Sequence, residues 1–272
     1  VANENCVGDY AMNINNLDDF MSLLTNRYLG LMTQRQINSL FSVKILIAGC
    51  GIGSAIAEEA ARMGFCKFIL VDMDIVSVEN LGRQRYTLDM VGKNKAEALK
   101  ETILRINPHA TVEAIPEFVT ISNANILVEK ADIIVDAIDP DAPLEIVALH
   151  RAARSTGKPV LLPVDTGWGA KLFVFTKDSL SYDELLGINP DISVENLSAE
   201  DIFGKTWSYF STISPVYVQR IVEKISNGKL EHYPQPSSAS AIAAGLCITA
   251  MKKLVLGEQL ILAPDHIGFD PN

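Results

Sequence analysis

The chain alternates short, wholly apolar runs with longer stretches in which apolar residues recur every three or four positions. "VKILIA" (43–48), "KFILV" (67–71) and "ADIIVDAID" (131–139) are of the first kind. Unbroken runs of this length fit strands buried on both faces, as in a parallel sheet. Residues 54–63, 91–108 ("VGKNKAEALKETILRINP") and 143–158 ("PLEIVALHRAARSTGK") carry helical spacing, with stop signals at Asn107–Pro108 and Gly157. "ATVEAIPEFVT" (110–120), "PVLLPVDTG" (159–167) and "AKLFVFT" (170–176) read as further strands, and "NANILVE" (123–129) as a short helix. Strands alternating with helices predict an α/β fold, doubly wound around a mostly parallel sheet.

Both ends depart from this rhythm. Residues 1–18 are rich in Asn and Asp and read as a loose arm, whereas 19–41 show helical spacing around Gly30, as one broken helix or two short ones. Residues 178–236 mix polar and aromatic positions before the helix "PVYVQRIVEKISNG" (215–228), and read as a lobe inserted over the sheet. The small-residue helix "PSSASAIAAGLCITAMKKLVLGE" (236–258) closes the pattern. The expected organisation is therefore an N-terminal helical arm (1–42), a sheet core (43–177), an inserted substrate-side lobe (178–236), and a closing helix and tail of the same domain (237–272). No internal repeat is visible.

Composition adds limits. At 48% hydrophobic and 21% charged residues, the chain has the make-up of a globular protein with a real core. It opens without a basic, then apolar leader, and runs such as Val43–Ala48 are too short to span a bilayer, so a cytoplasmic protein with no membrane partner is expected. A net charge of −10 opposes general attraction to nucleic acid. Cys6, Cys50, Cys66 and Cys247 form no C-x-x-C pair, which speaks against a zinc site or a disulfide framework. The last three sit in apolar surroundings and are expected to be packed thiols.

The chemistry starts at "GCGIG" (49–53), a glycine turn between strand and helix. Gly49, Gly51 and Gly53 would let backbone N–H groups approach a phosphate at the positive end of a helix. Asp72 ends the next strand, where a Rossmann-like fold places the acid that takes ribose hydroxyls, and Asp74 comes two residues later. The turn is one residue shorter than the G-x-G-x-x-G fingerprint of dinucleotide sites. The residues beyond Asp74 separate the alternatives. A nicotinamide-dependent oxidoreductase has no evident need for Asn80, Arg83 and Gln84 beyond the acid, or for Lys93 and Lys95 opening the next helix. An enzyme handling a triphosphate does, because charge builds on the phosphates as pyrophosphate leaves. Asp136 and Asp139 lie at a strand's carboxyl end, where a carboxylate can hold Mg²⁺.

"GCGIGS", "LVDMD", "ENLGRQ", "VGKNKAEA", "RINP" and "DAID", in this order and spacing over residues 25–177, resemble the ThiF/MoeB/HesA superfamily. That superfamily includes the adenylating domains of ubiquitin-activating enzymes and TcdA-like tRNA threonylcarbamoyladenosine dehydratases. The resemblance implies adenylation of a carboxylate by ATP and Mg²⁺. It matches Gly51 to the nucleotide loop, Asp72 to the ribose acid, and Asn80, Arg83 and Gln84 to the phosphate-contacting segment. Lys95 matches the phosphate lysine and Asp139 the Mg²⁺ aspartate. It also implies a homodimer in which an arginine of the arm, Arg27 or else Arg35, enters the partner's site. Pro140 stands after Asp139 where many members carry Asn or Ser, and residues 141–246 contain no cysteine. Adenylation is expected without thioester or persulfide chemistry, and without zinc.

The expected substrate is thus the C-terminus of a small ubiquitin-like protein or peptide, or a small-molecule acid. Shared "DMD", "FVT" and "DAID" strings lean toward the tRNA branch, and the negative charge leans away from tRNA. A non-catalytic subunit of a heterodimeric activating enzyme, paired with a paralogue, is the alternative from another class. The joint presence of Asp72, Arg83, Lys95 and Asp139 disfavours it.

Overall fold

Ile45, Leu46, Ile47 and Ala48 have no solvent exposure, and the strand they form, β1 (Lys44–Ala48), lies at the centre of a seven-stranded sheet. The computed structural model describes residues 16–271; of the loose arm expected over residues 1–18, residues 1–15, with Cys6, fall outside them, and residues 17–18 belong to α1. In chain order come α1 (Leu17–Leu24), α2 (Gln34–Phe41), β1, α3 (Gly53–Met63), β2 (Lys67–Val71), α4 (Lys95–Ile106), β3 (Thr111–Ile115), α5 (Ala124–Glu129) and β4 (Ile133–Asp136). After these come α6 (Pro143–Thr156), β5 (Val160–Thr166), β6 (Gly169–Phe175), α7 (Tyr182–Leu186), α8 (Ala199–Ile213), α9 (Val216–Ser226), α10 (Ser237–Leu256) and β7 (Ile267–Phe269).

The strand order is β3-β2-β1-β4-β5-β6-β7, parallel from β3 to β5, with β6 antiparallel to both its neighbours. The expected doubly wound α/β fold is present. One face packs the cluster of Ile45, Ile47, Leu70 and Val135 with Ile56, Leu99 and Cys247 from α3, α4 and α10. The other packs Leu46, Ile69, Ile134 and Phe173 with Val128, Leu149 and Ile202 from α5, α6 and α8. Fully burying one such side chain contributes about 1.5–3 kcal/mol, so the two faces together hold the sheet's central strands. The chain crosses from one side of β1 to the other between β3 and β4, which makes the gap between β1 and β4 the switch point where such sheets bind ligands.

Local details depart from, or go beyond, the pattern in the sequence. β3 ends at Ile115, not Thr120, because Pro116 brings no N–H to the ladder. The helix expected from residue 91 starts at Lys95: Asn94 caps it by accepting the Glu97 N–H, and Gly92, at φ +92°, turns the chain just before. The ladder from β4 to β5 stops at Val135–Leu161, and Pro163 has no N–H with which to extend it. β5 therefore continues beyond β4 with only β6 beside it.

α10 is 20 residues long and, by length and composition, apolar enough to cross a membrane. In the fold it lies against α3, β5 and β6, with Ala239, Ala243, Ala244, Cys247 and Met251 buried. Small residues along it allow that close approach.

Candidate active site

Gly49 has φ +91°, and a Cβ there would run into the Ala137 carbonyl of the loop after β4. At Gly53 a Cβ would lie 2.6 Å from Ile47 Cγ2, so this glycine lets α3 sit on β1. Both are demanded by packing. Gly51 is different: a Cβ there would meet only Gln84 Nε2, at 3.5 Å. Among the described residues, the N–H groups of Gly51, Ile52 and Gly53 have no acceptor. Free donors at a helix start, beside a residue with no side chain, are a ready anion cradle.

Asp72 fixes this turn. Its Oδ2 accepts the Cys50 N–H at 2.7 Å and its Oδ1 the Asp74 N–H at 2.8 Å. Burial raises its pKa, against those two N–H donors and Lys95. Each carboxylate oxygen retains a lone pair for a further donor. Lys95, in the first turn of α4, is buried, and its Nζ lies 2.8 Å from Asp74 Oδ2. Two residues that sequence reasoning missed hold the arrangement. The Tyr86 hydroxyl donates to the carbonyls of Cys50 (2.8 Å) and Lys95 (3.2 Å), tying the glycine turn to α4. Asn94 Nδ2 donates to the carbonyls of Asp72 (2.9 Å) and Asp74 (3.2 Å). The Asn94 cap was readable as a helix-start signal; nothing in the sequence marks Tyr86.

The segment after Asp74 coils over the turn through a 3₁₀ helix, Val78–Gly82. Asn80 is buried, and its Oδ1 accepts the Ser77 N–H at 2.9 Å, so its carbonyl serves the local turn. Gln84 is buried as well, and its Oε1 has no partner. Arg83 is half-buried and its charge reaches Asp139 and Asp165. Asp139 is exposed in the loop after β4; partial burial and the Asp141 carboxylate push its pKa up, while Arg83 and Lys95 pull it down.

Asp136 takes no part. It is fully buried, and its Oδ2 lies 2.9 Å from His150 Nε2, whose ring stacks on Tyr182 at 4.4 Å. Of the two acids in "DAID", only Asp139 lies with Arg83 and Lys95.

Residues 25–270 match the ThiF family. The chain belongs to the ThiF family.

Over 152 residues the ThiF-family chain is 32% identical to the ATP-dependent ubiquitin transferase-like protein Cap2 of Enterobacter hormaechei, covering 53% of this chain and 24% of that protein. Over 95 residues it is 42% identical to the tRNA threonylcarbamoyladenosine dehydratase of Escherichia coli, covering 34% and 35% of the two chains. The matched stretches thus span well under half the length of these relatives. In the crystal structure of E. coli MccB with ATP, the fold recurs with a TM-score of 0.62 at 23% identity, over 86% of this chain and 62% of that one.

In the ThiF-family chain neither arginine of the described part of the arm is seen at the chain's own glycine turn. Arg27 is exposed in a 3₁₀ turn (Asn26–Tyr28), and the Tyr28 hydroxyl donates to the Arg62 carbonyl. Arg62 ends α3, about 13 Å along the helix from Gly53 at 1.5 Å per residue. Arg35 is exposed on α2. A depression of about 810 Å³ between α7 and α8 is lined by residues such as Leu185, Lys205 and Tyr209 and by none of the site residues. Among the described residues no group of three or more His, Cys, Asp or Glu could hold a metal ion unaided. A hard cation at Asp139 would draw its other ligands from phosphate and water, as Mg²⁺ commonly does. The site favours that arrangement, because Asp72, Asp74, Asp139 and Asp141 stand against Arg83 and Lys95.

Proposed function

We propose that this ThiF-family chain is an adenylyltransferase. ATP lies over the β1–α3 turn, a carboxylate attacks its α-phosphate, and pyrophosphate leaves. The observation that carries this reading is that the charges of Arg83 and Lys95 both act on Asp139, at the same sheet edge as the N–H groups of 51–53 that have no acceptor. Three loops far apart in sequence thereby direct cations, donors and one exposed carboxylate to the switch point of the sheet. A nicotinamide cofactor would use the glycine turn and Asp72 but has no evident need of Arg83, Lys95 or Asp139.

In this reading Asp72 takes ribose hydroxyls, and Gly49, Gly51 and Gly53 shape the cradle. Asn80, Arg83, Gln84 and Lys95 meet the phosphates, and Asp74 keeps Lys95 in position. Asp139 would hold Mg²⁺, whose charge neutralises phosphate oxygens as the bond to pyrophosphate breaks. The activated acid is the C-terminus of a small ubiquitin-like protein or a peptide, or a small-molecule acid. tRNA fits the acidic chain less well.

The acyl group goes to a nucleophile outside the chain. Cys50 and Cys247 are fully buried, and burial raises both thiols; burial pushes Cys66 up to about 11. None offers a thiolate at neutral pH. Two chains forming a cytoplasmic homodimer would each lend Arg27, or Arg35, to the other.

The test is ATP–pyrophosphate exchange with Mg²⁺ against a small ubiquitin-like protein, short peptides with free C-termini, and tRNA bearing threonylcarbamoyladenosine. Exchange with one acid, lost on Asp139→Ala, supports the reading. NAD binding tighter than ATP, or a nucleotide bound away from Asp72, overturns it.

A further inference from the structure

One carboxylate at this edge of the sheet has no task in adenylation. Asp165 stands one residue before the end of β5, the strand next to the one that leads into Asp139. Side chains alternate along a strand, so Asp165 points to the same face as Leu161, which packs in the cluster with α3 and α10. It therefore lies on the side of the sheet that carries the glycine turn. The β4–β5 register pairs Ile134 with Val160 and Val135 with Leu161, where the ladder ends; β5 runs on to Asp165 at the carboxyl edge, and the Arg83 charge reaches Asp165 and Asp139 alike. Neighbouring strands lie about 4.8 Å apart. The carboxyl edge thus presents, in spatial order, Asp72 after β2, the glycine turn after β1, Asp139 after β4, and Asp165 on β5. If the nucleotide runs from ribose to phosphate along this line, Asp165 comes next, where the acyl group would be.

Three other acids here are engaged. Both oxygens of Asp72 accept backbone N–H groups, Asp74 is paired with Lys95, and Asp136 is paired with His150. Asp165 Oδ1 has no solvent exposure and no hydrogen-bond partner. The titratable groups that face it are Arg83 and Tyr233, whose hydroxyl donates to the Asp165 carbonyl at 3.3 Å and not to its carboxylate. α10, packed on β5, brings no charge near this end, since its lysines lie in the last turns.

We propose that Asp165 takes the proton from the nucleophile that consumes the acyl-adenylate. The proposal rests on the adenylation reading. With no thiolate among the described residues to carry the acyl group, the nucleophile is a neutral amine, amide or hydroxyl, and it must lose a proton as it attacks. Its N or O forms a bond to the acyl carbon, the bond from that carbon to the phosphate oxygen breaks, and AMP leaves with the electron pair. The proton passes to the Asp165 carboxylate. Burial pushes the Asp165 pKa up to about 7, against the pull of Arg83, so the carboxylate is a far stronger base than a solvated aspartate and is still ionised in part at neutral pH.

The experiment compares wild type with Asp165→Asn, using the acid that supports exchange in the panel above. Three rates are measured: ATP–pyrophosphate exchange, hydroxamate formation with added hydroxylamine, and AMP release with the natural acceptor or by cyclisation. In Asp165→Asn, exchange and hydroxamate formation should stay within about threefold of wild type, while AMP release without hydroxylamine should fall by ~10²-fold or more. The wild-type rise in AMP release around pH 7 should vanish in the variant. Asp165→Ala should regain AMP release on addition of formate, which also covers the case in which the Asn variant misfolds. Unchanged AMP release in folded Asp165→Asn, or an equal loss of exchange, overturns the proposal. Wild-type protein that exchanges no pyrophosphate with any acid removes the adenylation reading itself, and this proposal with it, without recourse to the variant.

Discussion

Lys95 Nζ lies 2.8 Å from Asp74 Oδ2, so the start of α4 is pinned to the loop that leaves β2. The lysine is buried, whereas the Asp74 side chain is 53% exposed. An ammonium held on one side by a solvated carboxylate can exchange that partner for a phosphate at small cost. Lys95→Ala should lower ATP–pyrophosphate exchange by ~10²-fold, the usual scale for loss of a charge aimed at the transition state. Asp74→Asn should keep exchange within about fivefold and cost about 1 kcal/mol in chemical denaturation, because the amide oxygen still accepts from the buried lysine. Equal losses in the two variants would show that the pair acts as one unit.

The three glycines of the turn should separate on substitution. Gly49→Ala meets both the strain of φ +91° and the Ala137 carbonyl, and should lose about 2–4 kcal/mol of stability. Gly51→Ala has room in the empty turn and should keep its melting temperature, yet weaken ATP binding measured by calorimetry.

Asp139 and Asp136 lie three residues apart and should fail in different ways. Asp139→Ala should keep its far-ultraviolet circular dichroism and melting temperature and lose exchange by ~10²-fold or more. Asp136→Ala strips His150 of its buried partner and should lose about 3–5 kcal/mol of stability. Thermal melts and exchange assays on the same preparations check both.

Arg27 is exposed, and its turn sits at the far end of α3 from the glycine cradle. If it serves a partner's site, Arg27→Ala should cut exchange strongly with no change in melting temperature. Mixed with Asp139→Ala chains, it should restore one working site per mixed dimer. Heterodimers that form but remain inactive, or a monomer at assay concentration, would rule out the shared site.

The folded-state pKa of Asp165 is raised from the usual 3.8 to about 7. Between these values the native chain binds the extra proton, so this residue's contribution favours folding at low pH and is lost as pH rises toward 7. Denaturation of wild type and Asp165→Asn at pH 5 and pH 8 should show the variant gaining stability relative to wild type at the higher pH. A difference independent of pH would show that the carboxyl is solvated.

Much of the fold was legible in the chain. Apolar runs such as 43–48 and 131–139 specify buried strands wherever they occur, and helical spacing specifies the faces that cover them. These are local patterns that need no partner in order to be read. The boundaries that slipped did so at Asn94 and Pro116, single residues whose capping or missing N–H overrode the apolar spacing around them. The family motifs likewise marked the glycine turn, Asp72, Arg83, Lys95 and Asp139 from residue type and order alone.

Only the tertiary structure decided which side chains face one another. Asp136 and Asp139 look alike in "DAID", yet one belongs to His150 and the core while the other lies in the field of Arg83 and Lys95. Gly49, Gly51 and Gly53 look alike too, and only the positions of Ala137 and Ile47 separate packing from open space. Asp165 ends a strand like many others, and its place in the site comes from the order in which β4 and β5 joined the sheet. The sequence sets the period and face of each element. The direction of a residue just past a strand's end is set by the loop's path, and that path is fixed by contacts with segments far away in the chain.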